Sequence, residues 1–141
     1  MSHEQAVTLS RYRLEKARET QATAEQNLNN NRYMDANNRA YYSIFHAMRA
    51  LLALDGVDFK KHSAVISFFR EQYIKTSRLD RTLSDIIGRA SIVRNKSDYE
   101  DFYITSKEEA EEQVSDAKLF IDSVEEYLEI RWQTTDLGGD G

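Results

Sequence analysis

The fold class predicted here is all-α: a compact antiparallel bundle of about five helices, and three observations predict it. Proline is absent, and only Gly56 and Gly88 interrupt the body of the chain, the other three of five glycines lying in the last four residues. Obligatory helix breaks are therefore few. Apolar residues recur at three- and four-residue steps through several segments, the period of one helix face. Short polar clusters separate these segments, and the second and third are rich in aromatic residues, which favours folding back over the rival arrangement, an elongated coiled coil.

The first helix is expected over about residues 4–29, where Val7, Leu14 and Leu28 share a stripe with Ala17 and Ala24 and Gln21 interrupts it. The small alanines suit a close neighbour, and Asn29, Asn30 and Asn31 supply the short amides that end helices. From Tyr33 to Leu54, Ala36, Ala40, Ile44, Ala47, Met48, Leu51 and Leu52 form a stripe that Tyr41 and Phe45 widen, as befits a central helix. Asp55-Gly56 stops it. After a connection over 57–62, a third helix is expected over about 63–75 with Val65, Ile66, Phe68, Phe69, Tyr73 and Ile74 inward. Ser77 and Asp80 read as a capping box that starts a fourth helix near Arg78, with Leu79, Leu83, Ile86, Ile87, Ala90 and Val93 on its stripe. Gly88 lies within it, either as a point of close approach or as a tolerated exposed glycine. The pattern breaks over 94–106. Ser106 and Glu109 then form a second capping box, opening a helix seamed by Ala110, Val114, Ala117, Ile121, Val124 and Leu128.

The 141 residues suit one domain over 1–130, followed by a tail over 131–141 without periodicity and expected to be mobile. Without cysteine, disulfides, thiolate metal sites and cysteine nucleophiles are excluded. No apolar run approaches the roughly 20 residues that span a bilayer, and the opening stretch lacks a secretory signal, which makes the cytoplasm the expected compartment and gives no membrane role. Net charge is −5, but residues 1–70 carry ten Lys/Arg against seven Asp/Glu and residues 71–141 nine against seventeen. Only the first half could supply a basic face, which argues against tight non-specific DNA binding and leaves room for a local RNA site.

Three polar features could carry chemistry. Arg39, Tyr42, His46 and Arg49 follow helical steps along one side of the second segment. Such a strip can hold phosphate with its cations and stack a base on its ring, or can be a solvated face whose long side chains cover apolar neighbours. Arg94 and Asn95 precede Asp98 and Tyr99 where the fourth helix gives out; if it continues, Arg94 and Asp98 can pair and Asn95 and Tyr99 share the adjacent side. His62, after Lys60 and Lys61 at a helix entry, suits an anion or an ordinary cap. His3, His46 and His62 lack metal-ligand spacing, so no metal is expected, and with no glycine-rich phosphate loop no cofactor is implied.

These residues also carry a resemblance. The stretch NNNRYMDANNRAYYSIFHAMRALLALDGVDFKKHSAVISFF, the later IIGRASIVRNKSDYE and the final EEAEEQVSDAKLFIDSVEEYL together resemble the HEPN domain family, in particular its small stand-alone UPF0332 type, over about residues 8–130. The run A-Y-Y-x-x-F-H-A-x-R-A-L-L, the K-x-H that follows it and the R-x-x-x-D-Y element carry the match. The resemblance implies a homodimer, genetic partnership with a minimal nucleotidyltransferase, and in many members a toxin role. Active members are metal-independent ribonucleases whose R-x4-6-H motifs meet in a dimer cleft. Arg94 stands at the motif arginine and Asn95 at the polar residue after it, but no histidine follows Arg94 anywhere, and Tyr99 lies five residues on. Attack by an RNA 2′-hydroxyl wants a group that exchanges protons near pH 7, which imidazole does and a phenol, titrating near pH 10, does not.

The resulting expectation is a HEPN-like component of a toxin–antitoxin pair that binds a nucleotidyltransferase partner and RNA or nucleotide, with Arg39, Tyr42, His46, Arg49, His62 and Asn95 as ligand-binding candidates. The alternative is a ribonuclease toxin with a divergent dimer-cleft site, using Arg94 with Asp98, Tyr99 or His46. Tyr99 or another tyrosine is a candidate target for nucleotidylation by the partner.

Overall fold

A computed structural model describes residues 2–138, and side chains through residue 133. Its described residues form an all-helical bundle without strands: α1 (His3–Asn29), α2 (Tyr33–Leu54), α3 (His62–Phe69) continued by a π-helical turn (Arg70–Ile74), α4 (Thr82–Tyr99) and α5 (Lys107–Gly138). The four longer helices run up, down, up and down. Ser10 Oγ donates to the Ala50 carbonyl at 2.8 Å and Arg13 Nη1 to that of Arg49 at 3.1 Å, which sets α1 antiparallel to α2. Asn37 of α2 reaches Glu109 at the start of α5, while Asp55 beyond its end meets Arg131, so those two run parallel.

The alanine stripes explain the closeness of α1 and α2. Ala17, Ala24, Ala36, Ala40, Ala47 and Ala50 are buried without trace of exposure, so the two backbones approach with little between them. Asn31, at φ 62°, turns the chain between the two, in the left-handed region that asparagine tolerates. Behind α2 the core is filled by Met48, Leu51, Leu52, Phe69, Tyr73, Ile86, Ile87, Phe120, Ile121 and Leu128. Each such side chain contributes roughly 1.5–3 kcal/mol by leaving water. The polar interruption of the α1 stripe, Gln21, is also buried, and its amide donates to the Val114 carbonyl at 3.3 Å.

Three boundaries differ from the sequence reading. Ser77 sits at φ 62° and makes no cap; the Asp80 carboxylate instead accepts from the Thr82 amide at 2.8 Å, so α4 starts at Thr82. At its other end α4 runs through Arg94 to Tyr99 instead of giving out. Finally, α5 continues to Gly138 and residues 131 and 132 belong to its packed face. Trp132, only 8 % exposed, donates from Nε1 to Ser10 Oγ at 3.0 Å, and Arg131 pairs with Asp55 at 2.8 Å. Residues 139–141 of the expected tail lie outside the described residues. Gly88 is not a point of tight helix approach, since an added Cβ would meet only the Arg70 guanidinium at an ordinary 3.7 Å.

Candidate functional site

The site is built on the outward side of α2. Because α4 runs antiparallel beside α2, Arg94 near its end comes over the tyrosine pair. The guanidinium carbon of Arg94 lies 4.9 Å from the centre of the Tyr41 ring and 5.8 Å from that of Tyr42. Arg39, one turn earlier on α2, lies 5.3 Å from the Tyr42 ring. Two cations thus share one aromatic ring, an arrangement favoured by the ring's negative face. Tyr41 and Tyr42 meet edge to face at 5.3 Å.

His62 completes the cluster from the first turn of α3. Its ring stacks on Phe45 with centroids 4.0 Å apart, and its Nδ1 lies 3.0 Å from the Tyr41 hydroxyl. Burial, then the nearby charges of Arg94 and Arg49, hold the imidazole below the ordinary histidine range, so it is neutral at pH 7. Tyr41, 4 % exposed, is pushed up by burial, against the opposing pull of Arg94, and keeps its proton.

The remaining strip residues divide. Arg49 is paired: its Nη2 lies 2.7 Å from Asp58, which also takes Arg13 at 3.1 Å. The two guanidinium groups hold the Asp58 carboxyl below its usual range despite some desolvation. His46 faces the α1 side of α2, where burial and then Lys16, Arg49, Arg39 and Arg13 lower it to about 4. It therefore offers no positive charge at neutral pH. Arg94 also pairs with Asp98 at 3.5 Å, whereas Asn95 and Tyr99 point outward, the latter 81 % exposed. No hydrogen bond or ring contact joins Asn95 or Tyr99 to the cluster among the described residues.

Clefts open at both ends of this cluster. One of about 540 Å³ is lined by Phe45, Arg49, Asp58, Phe59, Lys60 and His62. The other, of about 170 Å³, is lined by Met34, Asn37, Asn38, Arg94, Ser97 and Asp98 among others. From Asn38 to Arg49 the helix rises about 16 Å at 1.5 Å per residue. The result is a shallow track with the half-buried Tyr42 ring, the exposed Phe59 ring and the cations Arg39, Arg94 and Lys60 along it, a chemistry that suits an anionic chain with flat groups.

Among the sequence candidates the structure brings Arg39, Tyr42, His62 and Arg94 together, holds Asp98 on Arg94, leaves His46 at the edge of the cluster with its ring 6.5 Å from that of Phe45, and keeps Asn95 and Tyr99 apart from it. Tyr41 and Phe45 read in the sequence as core, and they are buried; their second role, gripping His62, was missed. Asp58 and Phe59 were missed altogether. Their only signal was position, in a short connection between two helices that both carry candidates. Among the described residues no group of three or more His, Asp or Glu side chains is placed to hold a metal, and no helix is long and apolar enough to cross a membrane.

The fold and this face define a helical bundle with a cation–aromatic site shared by its second and fourth helices. The profile of the HEPN domain matches residues 10–127, and the chain belongs to that family. A protein of Methanocaldococcus jannaschii named "putative toxin" is 37 % identical over 82 % of this chain and 78 % of its own length. A second so named from the same organism is 34 % identical over 82 % and 85 %. A UPF0332 protein of Thermotoga maritima is 32 % identical over 81 % and 86 %.

Proposed function

We propose that this protein is the HEPN component of a toxin–antitoxin pair that works in the cytoplasm as a homodimer, binds single-stranded RNA along the α2 face, and is bound by a small nucleotidyltransferase. The observation that carries the RNA reading is Arg94 over Tyr41 and Tyr42, with Arg39 on the same Tyr42 ring. Guanidinium groups recognise phosphate oxygens in pairs, and a half-exposed aromatic ring between them gives a base something to stack on. The net charge of −5 does not describe this half of the chain, since residues 1–70 carry ten Lys/Arg against seven Asp/Glu. The toxin part is supported by the names of the relatives and the nucleotidyltransferase part by the family resemblance. Tyr99, exposed on the last turn of α4, is open to a partner's transfer of a nucleotidyl group onto its phenol oxygen, with pyrophosphate leaving a nucleoside triphosphate.

Fluorescence anisotropy with a labelled single-stranded RNA tests the reading. Replacing Arg94 by Ala is expected to weaken binding about tenfold, one lost charge-assisted contact being worth about 1.4 kcal/mol or more. Affinity should also fall as salt rises. Equal affinity for wild type and variant, both folded by circular dichroism, contradicts it.

A further inference from the structure

Among the described residues two buried side-chain oxygens accept no hydrogen bond, Gln21 Oε1 and Asn37 Oδ1. Gln21 is packed between α1 and α5, whereas Asn37, 4 % exposed, lines the cleft of about 170 Å³ between α2 and the last turns of α4. Buried polar atoms are nearly always paired, so an unpaired acceptor in the wall of a cleft points to a donor brought from outside. The orientation of this amide is fixed. Asn37 Nδ2 donates to Glu109 Oε1 at 3.3 Å and to Thr105 Oγ1 at 3.4 Å, and the same carboxylate takes the Tyr103 hydroxyl. A carboxylate only accepts, so the amide must turn its nitrogen to Glu109, which leaves its oxygen to serve the cleft.

The other polar groups of the cleft are committed in ways that leave a definite pattern. Asn38 Oδ1 takes two bonds from Arg39, at 2.7 and 3.1 Å, so the Asn38 nitrogen is left as a donor. Ser97 Oγ donates to the Val93 carbonyl at 3.0 Å and has only acceptor capacity to spare. Asp98 meets Arg94 through Oδ2 at 3.5 Å, which leaves Oδ1 to accept, and Asp35 pairs with Arg32 at 3.5 Å. Two carboxylates make the cleft a poor place for phosphate. Its volume also falls below the roughly 300 Å³ at which pockets for drug-sized molecules begin. What suits it is the edge of one flat ring that carries an amino group beside a ring nitrogen.

We infer that this cleft is a base-selecting subsite, which takes the Watson–Crick edge of an unstacked adenine or cytosine and rejects uracil. The inference rests on the proposed RNA binding along α2 and names which bases that face prefers. The amino group donates to Asn37 Oδ1, with Asp98 Oδ1 and Ser97 Oγ as further acceptors, and the ring nitrogen beside it accepts from the Asn38 amide. Uracil presents the reverse order, a carbonyl beside an N–H, and sets its oxygen against the Asn37 oxygen. Because Glu109 holds the amide, Asn37 cannot turn over to suit uracil. Arg94 lines the cleft and also lies over the Tyr41 ring at 4.9 Å, so a chain held on the tyrosine face passes the mouth of this subsite.

The test is fluorescence anisotropy of the full chain with labelled oligo(C), oligo(A) and oligo(U) of equal length. Wild type is expected to bind oligo(C) and oligo(A) about tenfold or more tighter than oligo(U), the cost of setting an acceptor against a buried acceptor. Asn37→Leu removes the accepting oxygen and should bring the three affinities within about threefold of one another. Met34, 45 % exposed at the rim of the cleft, gives a variant with little bearing on the fold. Met34→Trp should crowd the cleft and erase the preference while oligo(U) still binds within about threefold of wild type. If Asn37→Leu loses helicity by circular dichroism, Met34→Trp decides. Equal wild-type affinity for the three oligomers overturns the inference and spares the RNA reading, as does a preference that survives Met34→Trp. Failure of all three to bind overturns both.

Discussion

His46 and His62 carry the same ring into different surroundings, and the difference separates stability from function. His46 is held to about 4 by burial and by Lys16, Arg49, Arg39 and Arg13, whereas in the unfolded chain it titrates near 6.5. Between those values the unfolded chain binds the proton and the folded one does not, so stability is full above pH 6.5 and falls as pH drops toward 4. Urea unfolding at pH 7 and pH 5 should show this loss, and His46→Gln should reduce the difference between the two pH values; an unchanged difference contradicts the assignment. At this scale the sequence was partly legible. Helical spacing placed Arg39, Tyr42, His46 and Arg49 on one strip, but spacing cannot say what lies opposite. Asp58 neutralises Arg49 across a loop, and α1 contributes the lysine and arginine that discharge His46.

At the scale of elements, α5 depends on residues that the chain's pattern made easy to discard. Trp132 follows Leu128 by four residues and continues the seam, but the polar residues after it hid the step. Its ring closes the end of the bundle where α1 and α2 meet, with the Arg11 guanidinium 4.8 Å away. Nearby, the Tyr73 hydroxyl donates to Asp55, and Arg131 pairs with the same carboxylate, joining the π-helical turn, the end of α2 and α5. Burial and then the Asp55 bond push the Tyr73 phenol well above its ordinary range, so it stays a donor. Trp132→Ala should cost about 3–5 kcal/mol, the range for a large buried aromatic, with a matching fall in the midpoint of thermal unfolding followed by circular dichroism. A change within about 0.5 kcal/mol would place Trp132 outside the core. The helix starts and ends were less legible than the helices because they are fixed locally. Ser77 takes a left-handed turn and Asp80 accepts from the Thr82 amide in its place, a choice between two polar residues three apart that periodicity does not make.

For the whole molecule, the hydrophobic stripes determined the bundle because four amphipathic helices have few ways to hide their faces, and the short polar links leave the up-and-down order. The site was legible as two separate patches. Their union needed α4 to continue past Arg94 and to lie antiparallel to α2, which is a tertiary fact. The surface left over includes Ile92, Tyr99, Phe102 and Ile104, all exposed at the end of α4 and in the link to α5. Apolar side chains gathered in this way suit association with another chain. Light scattering of the purified protein should give twice the mass of one chain, and a double change of Phe102→Ser and Ile104→Ser should shift it toward one; a wild-type monomer at working concentration contradicts the homodimer.

Ultraviolet cross-linking of a bound single-stranded RNA followed by peptide mass spectrometry reads directly whether α2, α3 and α4 present one track to RNA. Cross-links to peptides holding Tyr42, Phe59 or Arg94 are predicted, lost in excess unlabelled RNA. Cross-links confined to α5 or to the outer face of α1 would contradict the account.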